Sequence, residues 1–402
     1  MSKRVVVTGM GLVSGIGNNL EQTWDSLISS KSGIGDITWL NTRHKNNLPV
    51  SEVKLSSDEL VGLAGLTSKN GYSRSSLLGT VAAREAVRNA GIKNINEYRT
   101  GIVSATSVGG MEKSEVFFAD FLKDNTKGEL RNIVTHDCGD TTEKIADSLG
   151  IKQYMTTIST ACSSSANSIM FGARLIKHNI LDRVIVGGTD SLTKFTLNGF
   201  NTLMILDKDH CRPFDDTRTG LNLGEGAGFL VLESEETAGS KEIFGEITGY
   251  ANANEAFHQT ASSPEGDGAY QAMKKALEVS GLSIEDIDYI NVHGTGTLNN
   301  DLSEGRAMER LFNSKVPLFS STKAFTGHTL GACGGIEAIF SFLSIKYNTI
   351  FPNLNFGTQM KELTVSPVDK LKRNVAIDHV LSNSFGFGGN NSSLILSRYR
   401  QR

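Results

Sequence analysis

Strand-like and helix-like runs alternate along the whole chain, and they do so in two successive series. In the first, "RVVVTG" reads as a buried strand. "NLEQTWDSLIS" has helical spacing, with Leu20, Trp24 and Leu27 on one face, and "SSLLGTVAAREAVRNAGI" is an amphipathic helix stopped by a glycine. "TGIVSATS" and "RVIVGGTD" are further buried strands. The second series has "GEITGYANAN" as a strand, "AYQAMKKALEVSGL" as a helix and "IDYINVHGTGT" as a strand running into a polar loop. A helix over "GGIEAIFSFLSIKYN" and a strand over "NSSLILSRYR" complete it. Such alternation defines an α/β protein. The polar run "LESEETAGSK" at 232–241 divides the series, so two halves are expected, 1–240 and 241–402. Their sequence identity is too weak to prove a duplication.

At 402 residues the chain is long enough for two domains or one large repeated plan. Its net charge of −3 excludes the basic field that bulk nucleic-acid binding needs. No window has the length of a membrane span, and "MSKRVVVTGMG" enters a strand without a leader-like apolar run. The four cysteines, at 138, 162, 211 and 333, form no C-x-x-C pair, which leaves zinc ribbons and thioredoxin-like chemistry without support. Their even number could pair as disulfides, but in a large chain with no export signal a reduced cytoplasmic protein is the better expectation. "VVVTGMGLVSG" imitates a dinucleotide fingerprint with Gly9, Gly11 and Gly15, but Ser14 stands where the third glycine belongs. A glycine-rich turn is the better reading.

Cys162 differs from the other cysteines. "MTTIST" before it is strand-like and the run after it is helical, so it falls at or beside a helix N-terminus, where an anion is stabilised and a thiol pKa falls. The small neighbours in "TACSSSANSI" let other loops come close. The bland alternative, a buried inert thiol, is assigned to Cys138, Cys211 and Cys333. His293 follows an apolar strand in "VHGTGTLNND", and Lys323 and His328 precede a helix in "STKAFTGHTLGACGG". Strand-end loops are where α/β proteins keep their chemistry. Neither histidine has a second ligand at metal spacing, so no metal is expected. One Cys, two His and a Lys fit nucleophilic catalysis on an activated carbonyl.

Six stretches, in order, resemble the β-ketoacyl-acyl carrier protein synthases of type II, elongating condensing enzymes of thiolase fold. They are "RVVVTGMGLVSGIGNN", "TACSSSANSI", "RPFDDTRTGLNLGEGAG", "VHGTGTLNND", "STKAFTGHTLGACGGIEA" and "NSFGFGGNN". The resemblance implies two similar halves in five α-β-α-β-α layers, Cys162 in the first and both histidines in the second. It implies a homodimer, with a heterodimer containing a chain-length partner as the alternative. Substrates would ride on the phosphopantetheine of acyl carrier protein, with no cofactor.

By the same resemblance, Cys162 takes the acyl chain while the backbone N–H groups of Cys162 and Phe387 hold the oxyanion. Neutral His293 and His328 then polarise the malonyl thioester as it loses CO2. Lys323 would keep the imidazoles uncharged, with Glu337 as its partner; the alternative for that pair is a structural ion pair. Thr295 and Thr297 match positions that touch the pantetheine arm, or else they bond within their loop. Phe387, between glycines, would gate an acyl pocket lined also by Val108 and Phe200, which otherwise read as core. Lys69 and Arg74 are candidates for docking the acidic carrier against a default of solvated charge.

"SATSVGGMEKSE" and "HGTGTLNND" look more like ketosynthases of specialised pathways, such as aryl polyene or flexirubin-type pigments, than housekeeping enzymes. An inactive partner subunit or scaffold is the competing class. Intact Cys162 speaks for the active subunit, and a thiolase reading lacks its second Cys in "NSFGFGGNN".

Overall fold

The computed structural model describes residues 3–68, 71–313 and 315–401. Five strands form a first mixed unit: β1 (Val5–Ser14), β2 (Thr100–Ala105), β3 (Tyr154–Ile158), β4 (Arg183–Asp190) and β5 (Gly226–Ser234). Their order is β3-β2-β4-β5-β1, parallel across β3-β2-β4 and antiparallel across β4-β5-β1. The second series supplies β6 (Gly245–Asn254), β7 (Tyr289–Asn291), β8 (Leu318–Ser320), a short pair β9 (Thr349–Ile350) and β10 (Lys372–Arg373), then β11 (His379–Gly386) and β12 (Asn390–Ser397). Setting the short pair aside, the order β8-β7-β11-β12-β6 repeats the first unit strand for strand, with the same parallel and antiparallel joints. The two units meet at β1 and β6 through two residue pairs, Val6–Glu246 and Val7–Gly245. The run at 232–241 ends β5 and forms the short helix Glu235–Ala238 before β6.

Helices Ser164–Lys177 and Cys333–Tyr347 pack on each other between the two units. The second is buried from Cys333 to Ile345, with Ile336, Ile339, Phe340, Phe342 and Ile345 in the core. Helices Arg74–Asn89 and Cys138–Leu149 cover the outer face of the first unit; Asp267–Ser280 and Leu298–Phe312 cover that of the second. The result is the five-layered thiolase-like arrangement. Chemistry-bearing loops follow the C-terminal ends of the parallel strands, where ligands gather in α/β sheets.

Two glycines of the false fingerprint, Gly9 and Gly11, sit inside β1, under the helix Arg74–Asn89. A Cβ on Gly9 would come 2.2 Å from the Ala86 carbonyl oxygen, and one on Gly11 2.1 Å from that of Ala82. They serve close strand-helix packing, not a phosphate. On the surface, helices Met111–Lys123 and Arg131–Val134, with Leu130 just before the second, expose Val116, Phe118, Leu122, Leu130 and Val134. That apolar patch is of the kind that marks an interface. No helix among the described residues is long and apolar enough to cross a membrane.

Gly11→Ala is expected to cost about 1–3 kcal/mol by overpacking. Gly62→Ala, whose added Cβ meets nothing within 4 Å on the helix Ser57–Leu63, is expected to stabilise by about 0.5–1 kcal/mol. Denaturant unfolding of the two variants checks both signs.

Candidate active site

Cys162 lies in the turn between β3 and the helix Ser164–Lys177, whose N-cap is Ser163. The serines hold this turn. Ser164 Oγ accepts from Thr160 N at 2.8 Å and donates to the Ala161 carbonyl at 2.5 Å, while Ser163 Oγ donates to the Thr160 carbonyl at 2.8 Å. Ala161 takes a left-handed φ of 50°, and the whole turn is compact enough for Gly386 to lie against the Cys162 N–H. The expected position at a helix start is therefore met, but the expected lowering of the thiol pKa is not. Burial pushes Cys162 up to about 11, against the pull of Lys323 and of the backbone N–H groups of Phe387 and Cys162 itself. Loss of hydration outweighs the helix terminus.

His293 follows β7. Its loop is pinned by two acids one turn apart on the helix Leu298–Phe312. Glu304 accepts from His293 N at 2.9 Å and Gly294 N at 2.8 Å, and Asp301 accepts from Thr295 N at 2.9 Å. Burial pushes Glu304 up to about 7, with those amides pulling it back. His328 sits after the short helix Lys323–Thr326, and its Nδ1 accepts from Leu330 N at 3.0 Å. A ring nitrogen that faces an N–H donor carries no proton, so in the neutral ring the proton is on Nε2.

Sγ of Cys162 and one ring nitrogen from each of His293 and His328 all lie within 4.8 Å of one another. The two rings meet edge-on, centroids 5.3 Å apart. Both histidines are held well below their ordinary pKa, first by burial and then by the Lys323 ammonium, with His328 adding to the effect on His293. Lys323 bonds Glu337 at 2.5 Å, both buried. Burial pushes Glu337 up to about 6, Lys323 pulls it back, and the pair is ionic at neutral pH. The sulfur-and-nitrogen set would suit zinc by donor type. The His328 tautomer opposes this, because Nδ1 already accepts from Leu330 N and Nε2 carries the ring proton.

Cys162, His293, His328, Thr295, Thr297 and Phe387 line one cavity of about 220 Å³. The Thr295 and Thr297 hydroxyls bond each other at 2.9 Å at its wall. Phe200 also lines it and stacks on Phe387, centroids 5.6 Å apart. Val108 does not line it. Its N–H is bonded to Asp190, and its side chain is buried in a cluster with Leu192, Leu197 and Leu330. Arg74 is a second correction. It points inward to Glu225 at 2.6 Å and to the Val53 and Leu55 carbonyls, so it is no docking cation. Lys69 lies outside the described residues. Cys333 and Cys211 are buried as expected, but Cys138 is half-exposed.

Three site features escaped the sequence reading. Asp301 and Glu304 carried a usable signal, acids at i and i+3 just after a Gly/Thr loop. Asp190, at the end of β4, carried none. Cys333 Sγ reaches the Cys162 carbonyl at 3.1 Å, a contact between positions 171 residues apart.

With this geometry in hand, comparison with known proteins is direct. Residues 2–238 match the beta-ketoacyl synthase N-terminal domain and residues 244–357 the beta-ketoacyl synthase C-terminal domain. The chain belongs to the beta-ketoacyl synthase family. It is similar to the 3-oxoacyl-[acyl-carrier-protein] synthase 2 of Staphylococcus aureus (strain COL), 35% identical over 413 residues and covering 99% of both chains. Among solved structures it resembles the ishigamide ketosynthase/chain length factor, with TM-score 0.94, 30% identity and all of both chains covered. It also resembles a ketosynthase (ApeO) in complex with its chain length factor (ApeC) from Xenorhabdus doucetiae. There the TM-score is 0.86 and the identity 28%, with 99% of this chain and 98% of that one covered.

A thiol at about 11 beside neutral imidazoles predicts no thiolate-imidazolium plateau. Alkylation of Cys162 by iodoacetamide, followed by peptide mass spectrometry, is expected to rise about tenfold per pH unit from pH 7 to 9. A plateau near neutrality would show a preformed ion pair instead.

Proposed function

We propose that this chain is an active β-ketoacyl-acyl carrier protein synthase that joins an acyl chain to a malonyl unit by decarboxylative condensation. The observation that carries the reading is the meeting of one sulfur and two imidazoles on one cavity. The Cys162 thiolate attacks the carbonyl of an acyl thioester on the carrier. The oxyanion forms against the N–H groups of Cys162 and Phe387, and the carrier leaves as its thiol, taking the proton that Cys162 lost. Malonyl-carrier then enters. Nε2–H of His328 and a ring N–H of His293 donate to its thioester oxygen. The bond to the terminal carboxylate breaks, CO2 leaves, and the electron pair passes onto that oxygen as an enolate. The enolate carbon attacks acyl-Cys162, the C–S bond breaks, and a 3-oxoacyl chain two carbons longer remains on the carrier.

Lys323 acts at a distance in this scheme by disfavouring imidazolium, and Glu337 holds it in place. Thr295 and Thr297 would meet the pantetheine arm, and the stacked Phe200 and Phe387 form the movable wall toward the acyl chain. Every step uses side chains, backbone amides and the carrier's own thioester, so the scheme requires no cofactor. A cytoplasmic setting belongs to the same proposal and agrees with four free cysteines.

The exposed apolar patch on Met111–Lys123 and Arg131–Val134 supports pairing with a second chain. The two solved relatives named above, each described with a chain length factor, favour a partner of that kind as well as a second copy. They also support a product of specialised metabolism.

Cys162→Ala is expected to abolish both the acyl-enzyme mass adduct and condensation while the fold survives. His328→Ala is expected to retain the adduct and to lose about 10²–10³-fold in CO2 release from malonyl-carrier. Elongation by Cys162→Ala would refute the nucleophile, and undiminished CO2 from His328→Ala would remove that residue. Absence of both adduct and CO2 from the unmodified protein would leave only a scaffold.

A further inference from the structure

Asp190, the last residue of β4, is fully buried and is paired with no Lys or Arg among the described residues. Five donors converge on its carboxylate instead. Thr106 Oγ1 and Ser107 Oγ lie at 2.5 Å, Ser107 N at 3.0 Å, Val108 N at 3.1 Å and Gly331 N at 2.7 Å. The first four belong to the turn after β2; the fifth belongs to the turn that follows His328. An added Cβ on Gly331 would fall 2.8 Å from Asp190 Oδ2, so the approach needs a glycine there.

The neighbouring peptide makes the connection. Leu330 holds a left-handed φ of 53°, which a branched side chain rarely adopts, and in that conformation its N–H reaches His328 Nδ1 at 3.0 Å. A conformation of this kind persists only where its surroundings enforce it. The bond from Gly331 N to Asp190 supplies that enforcement from the other half of the chain.

We infer that Asp190 is a positioning residue: by tying the 330–331 turn to the turn at 106–108 of the first unit it fixes His328 as an Nε2–H donor. The inference rests on the condensing reading for its kinetic consequence but not for its structural one. An amide in place of the carboxylate accepts on one atom only, so Asp190→Asn strands donors that now converge on two oxygens. Asp190→Glu keeps both oxygens.

The test uses the full-length protein labelled with 15N-histidine, with His328→Ala to assign the ring signals. In Asp190→Asn the His328 resonances are expected to lose the Nε2–H tautomer pattern. CO2 release from malonyl-carrier is expected to fall about tenfold or more, while acylation of Cys162 stays close to wild type. Asp190→Glu is expected to recover much of the CO2 release. Glu233→Gln is the control for general damage, since Glu233 is a buried carboxylate bonded to Arg183, Lys241 and Thr8. It is expected to lower stability without changing the ratio of CO2 release to acylation.

An unchanged His328 tautomer in Asp190→Asn overturns the inference, as does an equal change of the ratio in Glu233→Gln. Should Asp190→Asn not accumulate as folded protein, Gly331→Ala drives the turn off the carboxylate and is read the same way. If the wild type releases no CO2, the condensing reading fails, and the tautomer signal alone still decides the role of Asp190.

Discussion

The two central helices touch through their smallest residues, and the site depends on that contact. Ser165 Oγ accepts from Gly335 N at 2.8 Å, and a Cβ on Gly334 would lie 2.8 Å from Ala166 N. Cys333 Sγ meets the Cys162 carbonyl in the same seam. Backbones this close leave no room for larger side chains, which explains the small residues in both "TACSSSANSI" and "GACGG". Bringing the helix starts together brings their preceding loops together, one with the sulfur and the other with Lys323 and His328.

That proximity removes water and thereby sets every charge in the site. Without its hydration shell, Cys162 keeps its proton and both histidines stay neutral, while the ammonium of Lys323 survives because Glu337 is bonded to it. A buried pair of this kind contributes little net stability, since desolvation offsets its attraction. Its effect here is electrostatic, a fixed positive charge that opposes imidazolium and favours thiolate. One charge thus biases the thiol and both imidazoles in the same protonic direction, toward the form that has lost a proton.

Much of this was legible in the sequence because it is local. β6 occupies "GEITGYANAN" from end to end, and Cys162, His293 and His328 were placed at strand ends by their flanking Gly, Ser and Thr. What could not be read depends on partners far away along the chain. Arg74 looks like surface charge until Glu225, 151 positions on, folds over it. Val108 resembles a pocket wall until Asp190 turns its loop. The direction of the Cys162 pKa shift followed from burial, which no window of neighbours encodes. Leu330 gives no hint of its left-handed backbone, because Leu ordinarily avoids it.

The repeated strand order has a chemical corollary. Cys162 follows the third strand of one unit, and the stretch from Lys323 to His328 follows the third strand of the other. A doubled scaffold offers each loop twice, facing its twin across a pseudo-dyad. In the proposed reaction the twins have become opposites: one donates an electron pair to carbon, and the other draws electron density onto oxygen.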